Sequence, residues 1–110
     1  MADLINAQGI LFEVSTPLGF RVRATMARWE LITTIKHPTM AGRESIVKKT
    51  LQTPAEVRLS RSDESVHLFY MEERANRWIC VVTKKTDGDG FLITAYPTEA
   101  IKEGVRVWPR

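Results

Sequence analysis

The chain has 110 residues, 44% of them hydrophobic, and a formal net charge of +3. That length suits one small domain and is short for two, and the apolar content excludes a disordered segment. No run is long and apolar enough to span a membrane, and a single cysteine, Cys80, excludes an internal disulfide. One domain over 1–110 is therefore expected, with an N-terminal hairpin over 1–24 and a helix–helix–meander core over 25–110.

The opening "MADLINAQGILFEV" has no basic segment ahead of a short apolar run, so a secretory leader is not expected. In "GILFEVSTPLGFRVRA", Ile10, Phe12 and Val14 alternate with Leu11, Glu13 and Ser15; Pro17 and Gly19 supply a turn; Phe20 and Val22 alternate with Arg21 and Arg23. This is a hairpin pattern. Thr25 then reads as an N-cap, with Met26, Trp29, Ile32 and, less tightly, Ile35 at helical spacing, so the first helix is expected from Met26 to about Lys36. Pro38 ends it. A second helix is expected from about Arg43 to Gln52 on an apolar stripe of Ile46, Val47, Thr50 and Leu51, closing before Pro54.

From there the period changes to two. "AEVRLS", "VHLFYME", "RWICVVTKK" and "FLITAY" read as four strands joined by the turns "RSDES", "EERAN" and "TDGDG". The tail is expected to hold a short helical turn near Thr98–Lys102 and then "VRVW". Cys80, within the apolar "WICVV", reads as a buried and inert thiol, which favours a reducing, cytoplasmic setting. Short connections between strands imply an antiparallel meander. The fold class predicted is α+β: two N-terminal helices packed on one face of a four-stranded antiparallel sheet, preceded by a β-hairpin, with the other face open.

That open face would carry the chemistry. Val57 and Leu59 belong inside, which turns Arg58 and Ser60 outward. Phe91, Ile93 and Ala95 are expected on one face of the last strand, Leu92, Thr94 and Tyr96 on the other. One of Lys84 and Lys85 must face the site, and periodicity does not say which. His67 faces the open side if Val66, Leu68 and Tyr70 point inward; the reverse is equally allowed. His37, at the end of "TTIKHP", places a group that exchanges protons near neutrality at a helix end. Lys36, Arg43, Lys48, Lys49, Arg58 and Arg61, opposed in the same stretch only by Glu44 and Glu56, make a local positive field suited to phosphate. No Cys/His spacing suggests zinc, no acidic cluster suggests calcium, and "DGDG" lacks the lysine of a P-loop. No cofactor is implied. A set of His, Lys, Arg, Thr and Tyr on a sheet suffices in principle to cut RNA, whose 2′-hydroxyl supplies the nucleophile.

In order, "RWELITTIKHP", "VKKTLQTPAEVRLS" and "VVTKK…GFLITAYPTEAIKEG" resemble the small phage- and mobile-element-associated domains of the barnase–EndoU–colicin–RelE-like (BECR) nuclease superfamily over roughly Thr25–Trp108. The resemblance implies a toxin-like, metal-independent ribonuclease. It assigns catalysis to His37, Arg58, Lys84, Thr94 and Tyr96; the positive field and the strand alternation, rather than the resemblance, add Lys36, Arg43, Arg61 and His67 as residues for binding RNA. RNA is the expected partner, and whether an antitoxin or immunity protein also binds is left open by the sequence. The alternative is a non-catalytic module holding nucleic acid or protein on the same face. A third reading is a homo-oligomer paired through the edge of the N-terminal hairpin.

Overall fold

The computed structural model describes residues 9–101 and 103–110. Strands β1 (Ile10–Ser15) and β2 (Arg21–Thr25) form the expected hairpin, closed by Gly19 at φ 88° and by Thr16, whose hydroxyl donates to the Phe20 carbonyl at 2.8 Å. Thr25 caps helix α1 (Met26–Leu31) as its pattern predicts, its Oγ1 accepting from the Arg28 N–H at 3.1 Å.

The helix then widens rather than ending. Ile32–Lys36 form a π-helical turn in which the His37 N–H donates back to the Ile32 carbonyl at 2.6 Å. The paired threonines contribute to this. Thr33 and Thr34 hydroxyls donate to the Trp29 and Glu30 carbonyls at 3.0 and 2.7 Å, bonds that compete with the regular helical ladder. The wider turn rotates Ile35 off the apolar stripe, leaving it 72% exposed, while Trp29 and Ile32 remain buried. Pro38 opens a 3-10 turn (Pro38–Met40), and helix α2 (Glu44–Gln52) follows, burying Val47, Thr50 and Leu51.

Strands β3 (Glu56–Leu59), β4 (Val66–Arg74), β5 (Arg77–Thr86) and β6 (Asp89–Thr98) make the predicted meander. The β5–β6 connection is tighter than expected. Asp87 and Gly88 alone form it, both at positive φ, as a two-residue hairpin turn requires. Strand β7 (Val105–Trp108) completes the described elements.

The predicted sheet is corrected in size and direction. Among the described residues it has seven strands in the order β1-β2-β6-β5-β4-β3-β7, and it is mixed, because β2 runs parallel to β6. Two helices over a four-stranded antiparallel sheet with a separate hairpin is thus not the architecture. The hairpin docks edge-on to β6 through Val22↔Gly90 and Arg23↔Phe91. Gly90 makes this approach feasible: a Cβ there would lie 2.9 Å from both the Arg21 carbonyl oxygen and the Phe20 ring. At the far edge β7 pairs with β3. The helical turn expected near Thr98–Lys102 is absent among the described residues of that stretch, and Lys102 lies outside them.

The core is two-sided. Between the helices and the sheet lie Val22, Ala24, Ile32, Met40, Val47, Leu51, Val57, Phe69, Ile79, Val81, Leu92 and Ala95. On the opposite face Leu68, Tyr70 and Cys80 form a second buried cluster with Trp78, Val82, Tyr96 and Ile101. The chain leaving β6 crosses this face to reach β7, and Ile101 packs onto it. The face opposite the helices is therefore partly covered, where an open one was expected, because the even-numbered apolar residues of β4 and β5 require a cover of their own.

The crossover passes close beneath β3 at Gly104 (φ 84°), where a Cβ would lie 2.5 Å from the Leu59 carbonyl oxygen. Replacing Gly104 by Ala combines that overlap with an unfavourable backbone conformation. It is expected to destabilise the protein by about 1–3 kcal/mol, read as a lower urea midpoint at unchanged m-value.

Candidate functional site

Strand register assigns each candidate side chain to a face. On β4 and β5, Leu68 pairs with Val82, and Tyr70 with Cys80; these side chains lie opposite the helices. Thr94 pairs with Val82 and Tyr96 with Cys80, so both share that face. Arg58 pairs with Leu68, and Lys84 lies two residues beyond Val82; they share it as well. Lys85 points the other way, its ammonium 5.1 Å from the Phe20 ring centre.

The alternation expected on β6 is corrected by a bulge. Val82 pairs with Thr94 and Thr83 with Leu92, which leaves Ile93 as the extra residue. Leu92 and Ala95 consequently join the helix-side core, and Phe91 joins Thr94 and Tyr96 on the opposite face. A one-residue insertion reverses every later side chain relative to the earlier ones.

His37 reaches this face from outside the sheet. Strand β2 covers β6 only at Gly90 and Phe91, and the 3-10 turn packs against β6. The imidazole lies against the Tyr96 ring, centroids 5.2 Å apart and planes tilted by 39°. Tyr96 thus links the two others: His37 lies against its ring, and Thr94 precedes it by two residues on the same face. Thr94 Oγ1 is buried and has no hydrogen-bond partner among the described residues. Such a group costs about 1–3 kcal/mol, which an oxygen of a bound ligand would offset.

One rung of the sheet joins Glu56, Tyr70, Cys80 and Tyr96. Burial pushes both phenols far above their ordinary range, with the thiol and Glu103 adding to the effect, so both stay protonated. Burial likewise raises the Cys80 thiol to about 11; hydrogen bonding from Tyr96 and Tyr70 acts in the opposite direction, and Glu103 reinforces burial. Cys80 is an inert core thiol, the state its apolar surroundings suggest.

The cations are less available than composition implies. Arg58 is held by Glu56 at 2.5 Å and donates to the Gly104 carbonyl at 3.1 Å, so it clamps the crossover to β3. Lys84 faces Asp63 at 3.7 Å. It is four residues from Cys80 along β5, about 13 Å from the Tyr96 rung. The Asp63 carboxyl is held below its usual range chiefly by hydrogen bonds from Ser65, with Lys84 contributing less. Arg43 is ion-paired with Glu73, on the helix side. Lys36 is exposed on the π-helical turn, and Arg61 lines a cavity of about 210 Å³ with Ser60, Ser62, Glu103 and Gly104. The larger cavity, about 550 Å³, lies at the β4–β5 turn between Arg74, Arg77 and Glu99. Neither cavity is lined by His37, Thr94 or Tyr96. Among the described residues no three His, Cys, Asp or Glu side chains gather as a metal site needs, and no helix is long and apolar enough to cross a membrane.

His67 lies on the other face from Thr94 and Tyr96. Its ring packs 5.2 Å from Phe20 and 6.5 Å from Phe69, and Nδ1 has no partner among the described residues. Sequence reasoning missed Phe91 and Arg23, now adjacent on the site face; the bulge that turns Phe91 there leaves no mark in the alternation. No family model matches the chain, and no curated protein or solved structure is significantly similar to it.

Burial first, then Lys85, depresses the His67 imidazole below its ordinary 6.5, while the Ser65 carbonyl opposes the shift. A depressed folded value means that the unfolded chain binds the proton first. Stability from this group is complete above pH 6.5 and declines as pH falls below it. Thermal melts from pH 7.5 to 5 should show a fall that His67→Gln flattens. Cys80 should resist a disulfide thiol reagent at pH 7.5 until denaturant is added.

Proposed function

We propose that this chain is a metal-independent ribonuclease whose reacting centre is the His37–Tyr96–Thr94 group. The observation that carries the reading is the contact of the His37 ring with Tyr96 beside a buried, unpartnered Thr94 hydroxyl. Imidazole is the side chain best suited to exchange a proton near neutral pH. The resemblance of "KHP" and "TAY" to the BECR nucleases supports the same residues.

In this reading single-stranded RNA lies along β6. The 2′-oxygen loses its proton and bonds to the adjacent phosphorus, the bond from phosphorus to the 5′-oxygen breaks, and that oxygen gains a proton. A 2′,3′-cyclic phosphate and a 5′-hydroxyl result. His37 performs one of the two proton transfers, and Tyr96 holds its ring in place. Thr94 donates to a phosphate oxygen after rotating about its side-chain bond. Lys84 supplies longer-range positive potential, and Arg58 acts on the site by holding the crossover.

A second reading, a module that binds without turnover, is favoured by the carboxylate partners of Arg58 and Lys84. Its signature would be salt-dependent RNA binding and intact RNA. Incubation of purified protein with total RNA in EDTA separates the two. Cyclic-phosphate ends are expected, with His37→Ala slowing cleavage by about 100-fold or more and Thr94→Val by a smaller factor. Intact RNA, or equal cleavage by His37→Ala, would overturn the nuclease reading.

A further inference from the structure

We infer that Phe91 and Arg23 form a stacking platform for an RNA base next to the reacting phosphate, an inference that rests on the RNA reading of this face. Phe91 pairs with Arg23 on β2 and with Lys84 on β5, so one rung presents a cation, an aromatic ring and a second cation in that order. The Arg23 guanidinium carbon lies 5.9 Å from the ring centre. Phe91 remains partly exposed even though it belongs to a central strand.

The cations are tethered at their outer ends. Arg23 reaches Glu13 through Nη2 at 3.1 Å, and Lys84 faces Asp63. The Glu13 tether holds the guanidinium beside the ring, while Lys84, paired with Phe91 in register, directs its ammonium to Asp63. Arg23 Nε is nonetheless buried with no partner among the described residues, the same condition as Thr94 Oγ1 on this face. Through their β5 partners, Lys84 and Val82, Phe91 and Thr94 are two register steps apart, about 7 Å. Two unpaired donors therefore flank an aromatic ring within one nucleotide of the proposed centre.

Aromatic rings and guanidinium planes interleaved with cations accept unpaired bases with little sequence preference. The occupant is accordingly a nucleotide of single-stranded RNA. Duplex RNA keeps its bases stacked within the helix and could use only the cations.

Binding is measured by fluorescence anisotropy of a labelled single-stranded RNA hexamer and of an abasic strand with the same backbone. The proteins carry His37→Ala, so that any cleavage during the measurement is slowed by about 100-fold or more. Phe91→Ala should weaken hexamer binding by about fivefold to a hundredfold and leave the abasic strand unaffected. Phe91→Trp should retain the hexamer affinity, which separates loss of stacking from loss of fold. Arg23→Gln should weaken both strands. Equal hexamer affinity for Phe91→Ala and its parent overturns the platform, as does an equal loss on the abasic strand. Cleavage by the unsubstituted chain in EDTA is scored separately. Base-dependent binding through Phe91 without cleavage supports the platform and overturns only the catalytic reading.

Discussion

The parallel contact between β2 and β6 governs how the candidate site is assembled. It is short, two residue pairs at Gly90 and Phe91, because β2 turns into α1 immediately afterwards. Beyond Phe91, β6 has no strand partner on that side among the described residues, and the turn around Pro38 packs there instead. An edge must be paired or covered. Here it is covered by the segment that carries His37, and the imidazole meets Tyr96 as a result.

The same economy of cover explains the other face. A sheet with apolar residues on both sides needs two layers. The helices provide one, and the crossover from β6 to β7 provides part of the second, over Tyr70, Cys80 and Trp78. Arg58, with Glu56, fastens that crossover at the Gly104 carbonyl. A cation that invites a catalytic reading is thus committed to holding the fold. Phe91, Thr94 and Lys84 lie toward the other end of this face, where Lys84 is exposed and the other two are partly so.

The site is electrostatically restrained. The cations assigned to it have carboxylates nearby: Arg23 with Glu13, Lys84 with Asp63 and Arg58 with Glu56. Such pairs between partly exposed groups add little to stability, yet they orient long side chains. In the proposed RNA reading, a phosphodiester approaching the sheet would meet cations already positioned and would compete with the carboxylates for them.

Local chemistry alone determined much of this protein. The Thr25 cap, the α2 stripe, the four meander strands and the presence of a turn within "TDGDG" rest on interactions within a few residues, so their signals are readable in order along the chain. The pairing of Thr94 with Tyr96 on one face also survived, since both follow the bulge. Long-range pairing decided the rest. Nothing local in "FRVRA" specifies that β2 will meet β6 in parallel, because Gly90 is 67 positions beyond Arg23 and matters only through the space it leaves. Periodicity could not separate Lys84 from Lys85, or place His67, because β4 and β5 are apolar on both faces. The bulge at Ile93 arises from pairing with β5 and reverses the side chains beyond it without altering composition. Threonine hydroxyls competing for carbonyls contribute to the π-helical turn, and the place where it delivers His37 depends on which strand edge lies uncovered nearby.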